Sequence, residues 1–333
     1  MTALHRNKQL QEIDRPRVSI IVISYNTRRL TLECIASIFE HTAVPFELIV
    51  MDNASSDRSA DAIARVFPAE RCAGVKLVRS CVNLGFARAN NSAARLASGQ
   101  YLLLLNPDTK LTTPAVDRVV KFLDNHPNIA VAGGRTTFAD GALNPNSCHG
   151  SPTLWTLLCQ ATGLSALARR SRMLNPEGLG RWQRDSVREV DAVTGCFLAI
   201  HSQLWHSLGG FDTDFFMYGE DTDLCLRARR HPAGGPCAIC PEAELIHYGG
   251  ASEPVRSDKM VKLFAAKARL MDKHWPRALR PIGRQCLSTW AAGRAVVHWM
   301  LSPIRTSSKE AARQWRDLWH RRREFTRLEN HHV

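Results

Sequence analysis

Five short stretches of this 333-residue sequence gather acids, amides, glycines and a histidine at spacings that can do chemistry. Asp52-Asn53-Ala54-Ser55-Ser56-Asp57 closes an apolar run with a carboxylate, which can accept hydrogen bonds from a nucleotide base imide or a ribose hydroxyl. The same residue types cap helices and open turns, and Ser55 or Asp57 is expected to do so. In Asn83-Leu84-Gly85-Phe86-Ala87-Arg88, Gly85 lets backbone approach a ligand, Asn83 can touch a nucleotide and Arg88 can face a phosphate. An Asn-capped loop before a helix would read the same way. Asn106-Pro107-Asp108-Thr109 follows four leucines. A carboxylate there suits Mg²⁺ or Mn²⁺, which take one or two carboxylates and complete their shell with phosphate oxygens, although Asn-Pro-Asp also forms turns. Asp212, Asp214, Glu220, Asp221 and Asp223 crowd the fourth stretch. Glu220 and Asp221 open a helix whose dipole favours their charged form, and Phe215, Phe216 and Tyr218 just ahead would dry the pocket and sharpen a carboxylate as a base. Asp223 and Arg227, spaced i,i+4, are expected to pair on the surface. The fifth stretch, His247-Tyr248-Gly249-Gly250-Ala251-Ser252, puts a histidine at a strand end, within reach of a metal or a diphosphate; a lone histidine is more often structural.

The elements that must position these groups alternate. Residues 18–23, 46–51, 75–79 and 101–105 are strand-like apolar runs, separated by helix patterns at 29–41, 59–67 and 84–98. This alternation predicts a doubly wound parallel sheet, with each polar cluster just past the carboxyl end of a strand, where open α/β sheets bind ligands. A helix over 112–126 and strands over 129–133 and 192–200 follow, then helices over 202–208 and 220–230. Extended segments are expected at 236–241 and 243–247, and mostly helix from about 259. Between 135 and 190 the pattern dissolves.

Composition bounds the rest. Apolar content of 44% and charged content of 23% exclude wholesale disorder. No run of about 18 apolar residues is long enough to span a membrane, and residues 1–17 lack the apolar core of a secretory signal, so a cytoplasmic chain is expected. The ten cysteines are expected to be reduced and packed as small hydrophobes, the pair Cys237 and Cys240 included. The net charge is +13, of which residues 277–333 carry +8 together with Trp290, Trp299, Trp315 and Trp319. A basic, aromatic, helical tail points to an anionic surface, membrane headgroups more than nucleic acid. The alternative is a helix pair packed on the catalytic body or on a second copy of the chain. The first turn lacks GxGxxG, which argues against a nicotinamide enzyme.

Taken in order from Val18 to about Ser252, Asn83–Asn91, Leu102–Thr109, Phe215–Arg227 and His247–Ser252 make a set that resembles the family 2 glycosyltransferases of the GT-A fold, in their bacterial rhamnosyltransferase-like branch. The resemblance implies a Rossmann-like α/β domain over 18–255, mostly parallel with helices on both faces. Its nucleotide-sugar half would be 18–110 and its acceptor half 111–255, between a polar tail (1–17) and a basic helical region (256–333). It implies that Ser24, Tyr25, Asn26, Asp52, Asn83, Gly85, Arg88 and Asn106 serve the nucleotide sugar, and that Asp108 and His247 serve a Mg²⁺ or Mn²⁺ ion. Asp221 would be the general base, with Glu220 beside it. Asn106 stands where the family has the first Asp of DxD, one charge fewer. The implied reaction is inverting transfer of L-rhamnose or another hexose from a nucleoside-diphosphate sugar to a glycan or polyprenyl-diphosphate-linked acceptor, which needs a base and no enzyme nucleophile. Two rivals remain. A nucleotidyltransferase should show a Gly-rich loop in place of Ser24–Leu30, and a non-catalytic binding protein would not need Asp108 and Asp221.

Overall fold

Val18–Ser24 (β1) is buried along its whole length, and so is Tyr101–Leu105 (β4) beside it. Runs of β-branched residues and leucines with no polar alternation are stable only when both faces are covered. In the computed structural model, which describes residues 16–68, 72, 74–249, 256–304 and 306–326, helices cover both. Phe46–Asp52 (β2) and Val75–Arg79 (β3) complete a parallel block in the order β3-β2-β1-β4. Val18, Ile20, Val22, Leu48, Val50, Leu103 and Leu105 face one way. They pack on Cys34, Ile35 and Ile38 of Arg28–His41 (α1) and on Val116, Val119 and Val120 of Ala115–Asn125 (α4). Ser59–Val66 (α2) lies against α1, and Gly85–Ala94 (α3) covers the other face of β1 and β2. Each aliphatic side chain buried this way contributes about 1.5–3 kcal/mol.

Beyond β4 the sheet becomes mixed. Phe197–His201 (β10) runs antiparallel between β4 and Val131–Thr137 (β6), and Cys237–His247 (β11) runs parallel to β6 with a bulge between Cys240 and Glu244. Thr109–Leu111 (β5) and Arg188–Val190 (β8) pair antiparallel with β11. Cys148–His149 (β7) and Ala192–Val193 (β9) form a separate two-stranded sheet. The single strand expected over 192–200 is therefore two, parted by Thr194-Gly195-Cys196, and the two extended segments expected near 236–247 are one bulged strand. Ser202–Ser207 (α7) and Glu220–Arg230 (α8) complete this part. All ten cysteines are free and only Cys81 is exposed; Cys237 and Cys240 are buried in β11.

The amino ends of the strands are tied by a buried carboxylate. Glu47 accepts Ser19 Oγ at 2.6 Å, the Ser98 amide at 2.6 Å and Lys76 Nζ at 2.7 Å. Burial opposes its charge, but the Lys76 ammonium and the Ser19 and Ser98 donors hold its carboxyl below the usual carboxylate range.

The chain divides into two compact units. The first holds, within the described residues, 16–149, 183–216 and 220–249, and the second 150–182, 217–219 and 256–326. The second has its own core. It comprises Leu154–Ala161 (α5), Leu164–Leu167 (α6), Arg256–His274 (α9), Arg280–Leu301 (α10), Thr306–His320 (α11) and Arg323–Thr326 (α12). Phe264 stacks on Trp290 at 4.8 Å and meets Phe325 edge-on at 5.1 Å, with Leu287, Ala291 and Leu318 fully buried around them. Trp315 and Trp319 pack against the same cluster. The tail therefore turns Trp290, Trp315 and Trp319 inward, and of its four tryptophans only Trp299 is exposed. No helix among the described residues is long and apolar enough to cross a membrane.

Candidate active site

β1 and β2 end together, with Ser24 and Asp52 as register partners and the Asn53 amide donating to Ser24 O at 2.8 Å. Ser24 turns its hydroxyl into α1, where Thr31 Oγ1 lies at 3.0 Å. Asn26 braces the next loop: its Oδ1 accepts the Ser56 amide at 2.8 Å, and its own amide donates to Ser55 Oγ at 3.0 Å. Asp57 is the capping acid, and it serves two helices, accepting the Arg28 and Ser59 amides at 2.9 Å each. Burial works against its charge, yet the Ser59 and Arg28 donors bring its pKa down. Asp52 is left with ligand capacity. Its Oδ2 takes the Ser55 amide at 3.2 Å, while Oδ1 is buried with no hydrogen-bond partner. A buried acceptor without a donor costs about 1–3 kcal/mol, so such an oxygen is one that an incoming N–H or O–H can satisfy.

The loop before α3 is held by an asparagine that sequence reasoning passed over. Asn53 Oδ1 accepts the Leu84 amide at 2.9 Å, and its Nδ2 donates to Asn83 Oδ1 at 3.0 Å. Gly85, at φ +75°, is needed for a close approach, but the approach is to this chain's own Phe216: a Cβ there would lie 2.5 Å from Phe216 O. The Phe86 amide donates to that same carbonyl at 2.9 Å. Asn83 and Arg88 are exposed at this edge, and Tyr25 is half-buried.

The third and fifth stretches, far apart in sequence, meet across the pairing of β5 with β11, in which His247 is the register partner of Thr109. His247 Nε2 lies 3.3 Å from Asp108 Oδ1, and both side chains are nearly buried. Tyr248 N donates to Asp108 O at 3.0 Å. Burial opposes a charge on His247, but the neighbouring Cys196 sulfur and the Asp108 carboxylate prevail and push its pKa up to about 10. Its Nδ1 is buried without a hydrogen-bond partner. Gly250, Ala251 and Ser252 lie outside the described residues.

Asp221 reaches this edge through the break between β9 and β10. Its Oδ2 accepts the Gly195 amide at 3.1 Å, and its Oδ1 accepts the Thr222 amide at 2.7 Å. One residue on, Cys196 O accepts the Asn106 amide at 3.1 Å. Asp221 is half-buried, whereas Glu220 beside it is buried. The Phe86 ring crowds Gly195, where a Cβ would lie 2.9 Å from it.

Asp223 and Arg227 do pair, at 2.7 Å, but not on the surface: the Asp223 side chain is fully buried. The guanidinium also holds Leu208 O and Gly210 O, each at 2.8 Å, which clamps the start of the loop toward Phe216. Asn91 grips the same loop, donating to Phe211 O at 2.8 Å and accepting its amide at 2.9 Å. The buried Asp223 charge is met by the guanidinium, and the carbonyls of a tight turn take the remaining guanidinium donors. Phe215 is buried and Phe216 exposed.

Asp108 and His247 are ligand types that suit a hard or borderline divalent cation. His247 Nε2 and Asp108 Oδ1, 3.3 Å apart, are spaced as two ligands of one such ion would be once the proton of the pair leaves and substrate oxygens complete the shell. No cluster of three or more His, Cys, Asp or Glu side chains able to hold a metal occurs among the described residues.

A mixed α/β sheet flanked by helices, with its acids and amides gathered at one strand edge, is the architecture of a GT-A glycosyltransferase. The sequence model described as Glycosyl transferase family 2 matches residues 19–185, half of the chain, and the chain belongs to that family. It is 25% identical over 243 residues to an N-acetylglucosaminyl-diphospho-decaprenol L-rhamnosyltransferase of Mycobacterium tuberculosis, covering 69% of this chain and 75% of that one. It is 26% identical over 242 residues to the uncharacterized protein y4gI of Sinorhizobium fredii, where the match covers 71% of this chain but only 25% of the relative. In fold it is similar to a mannosyltransferase of Pyrobaculum calidifontis solved with GDP-Man and Mn²⁺, with a TM-score of 0.57 at 18% identity over 95% of this chain and 91% of that one.

Proposed function

We propose that this family 2 glycosyltransferase transfers a hexose, L-rhamnose foremost, with inversion from a nucleoside-diphosphate sugar to a hydroxyl of a lipid-linked or glycan acceptor in cell-surface polysaccharide synthesis. The observation that carries the reading is the contact path linking Asp221, through Gly195 and Cys196, to Asn106 and then to the Asp108–His247 pair. It gathers a prospective base and a prospective diphosphate site on one strand edge. In this reading Asp52 accepts a donor from the base or ribose, and Asn83, Arg88 and Asn106 line the nucleotide sugar, with Gly85 seating their loop against Phe216. The loop-bracing contacts of Ser24 and Asn26 leave Tyr25 as the side chain of that turn that meets the nucleotide. Asp108 and His247 would hold Mg²⁺ or Mn²⁺, which supplies positive charge to the leaving diphosphate. Asp221 takes the acceptor proton while the Gly195 and Thr222 amides fix its orientation, and Glu220 stays behind it. Residues 18–110 serve the donor and 111–255 the acceptor.

The M. tuberculosis relative, whose name includes a diphospho-decaprenol, supports a polyprenyl-linked acceptor and hence work at the inner face of a membrane. A thermal-shift screen with UDP-, GDP- and dTDP-sugars, with and without Mn²⁺, tests the donor, because a cognate ligand raises stability by mass action. The anomeric configuration of the product made from that donor, read by NMR, tests the mechanism. A product that keeps the donor's configuration would rule out inversion, and a chain stabilised by a nucleotide sugar that it never turns over with any acceptor would be a non-catalytic binding protein of the same fold.

A further inference from the structure

The segment that sequence patterning left unread, 164–182, displays a charge and apolar pattern that the transfer site does not use. A cleft of about 530 Å³ is lined by Ala166, Leu167, Arg169, Arg170, Ser171 and Arg181. The three arginines are exposed, and so is Arg172 between Arg170 and Arg181. Glu177 is the only acid in the segment, and Lys267 and Gln160 already engage it at 2.5 and 2.7 Å. Beside the cleft, Leu167 is 87% exposed, Met173 69% and Leu164 38%. These side chains stand on ordered backbone. Asn175 Nδ2 donates to Arg169 O at 3.0 Å, and Trp155 Nε1 donates to Met173 O at 2.7 Å.

The end of α10 joins this face. Gly293 faces α5, with Ala161 O 3.7 Å from where a Cβ would stand. Arg294 lies near enough to Arg169 for the two like charges to interact; burial first, and that repulsion second, lower its pKa. From there α10 presents Val296, Val297, Trp299 and Met300 to solvent. Apolar side chains exposed beside Arg169, Arg170 and Arg172 are unfavourable in water. They match a surface that is negatively charged outside and apolar beneath.

We propose that this face of the second unit docks on an anionic phospholipid bilayer, the arginine-lined cleft taking headgroup phosphates while Leu164, Leu167, Met173 and the end of α10 enter the acyl boundary. The inference rests on the membrane part of the proposed function and replaces its basis: the face is not the basic tail as a whole but the 164–182 segment with one end of α10.

The test is vesicle flotation of the full chain, which needs no knowledge of donor or acceptor and so fails or succeeds apart from the transferase reading. Phosphatidylglycerol–phosphatidylcholine vesicles should carry the protein at low salt, and phosphatidylcholine vesicles should not. Each arginine near such a surface is worth about fivefold in partitioning, so Arg169→Gln/Arg170→Gln should weaken binding roughly 20–30-fold. Leu167→Ser/Met173→Ser should also release the protein, while Arg313→Gln/Arg316→Gln, exposed on α11, should matter several-fold less. All six side chains are exposed, so folding is not at stake, and circular dichroism checks it. Equal losses from the cleft and α11 pairs would overturn the proposal in favour of diffuse charge. Release by inorganic pyrophosphate with no effect of the Leu167 and Met173 changes would make the cleft a soluble-anion site. A wild-type chain that stays unbound, or a face whose variants alter only self-association, would also refute it.

Discussion

Replacing Arg227 by methionine removes one side chain with three duties, and the structure sets the size of the effect. Asp223 is left as a fully buried carboxylate without its 2.7 Å partner, and breaking a buried pair from one side costs about 3–5 kcal/mol. Leu208 O and Gly210 O each lose a 2.8 Å bond worth about 0.5–1.5 kcal/mol. Because the losses overlap, about 4–6 kcal/mol is expected, which at about 2–4 °C per kcal/mol lowers the melting temperature by about 8–24 °C. Arg227→Lys keeps a charge but not the planar fork, and should lose about 1–3 kcal/mol. The discriminating variant is Asp223→Leu/Arg227→Met, which removes the buried charge as well and should recover most of the loss. Urea titration followed by far-ultraviolet circular dichroism measures all three. The reasoning fails if Arg227→Met shifts stability by less than about 1 kcal/mol, or if the double variant is no more stable than the single one.

Other outcomes follow from the same contacts. Asp221→Asn should keep donor affinity and lower turnover by about 10²–10⁴-fold; a variant that retains half of the wild-type rate would move the base assignment to Glu220. Asp108→Ala should weaken donor binding and abolish stimulation by Mn²⁺, and a wild type equally active in EDTA would show that Asp108 only shapes its turn. Glu47→Gln should destabilise the sheet by about 1–3 kcal/mol at neutral pH. The folded-state pKa of Glu47 is lowered, so its contribution is present above the unfolded value of about 4.3 and fades as pH falls through the lower folded value. Urea midpoints of the two proteins should therefore converge at acid pH, and a gap that stays constant from pH 7 to 3 would contradict the network.

What the sequence made legible is what local patterns encode. The unbroken apolar runs of β1 and β4 announced buried strands, and the polar clusters after them announced a ligand edge, because solvation and backbone preference act over a few residues. Asn53, Gly195 and the carbonyl clamp of Arg227 were not legible, although the pairing of Arg227 with Asp223 was. Each works by reaching a backbone group in a distant segment, which leaves no periodic trace near its own position. The break at Thr194-Gly195-Cys196 could have been suspected from a glycine inside a strand-like run. α5 escaped notice because its eight residues are apolar on most sides, although Thr153, accepting the Thr156 amide at 3.2 Å, caps it in the expected manner. Which way the tryptophans of the tail turn was not legible for a related reason: tryptophan beside arginine looks the same whether the ring faces lipid or a neighbouring helix.

Among the described residues β5 has one sheet partner, β11, so the position of Asp108 depends on a strand that leaves the ribosome long after it. At about 5–20 residues per second, the interval is on the order of ten seconds. During that time the parallel block β3-β2-β1-β4 can already be assembled, with Asp52 in place at its edge. A nascent chain at that stage owns the strand edge that carries Asp52 and lacks the groups opposite Asp108. The two ends of the candidate site, Asp52 and the Asp108–His247 pair, thus form at different moments in the life of one polypeptide. Chains arrested before Cys237 provide a direct look at the first without the second.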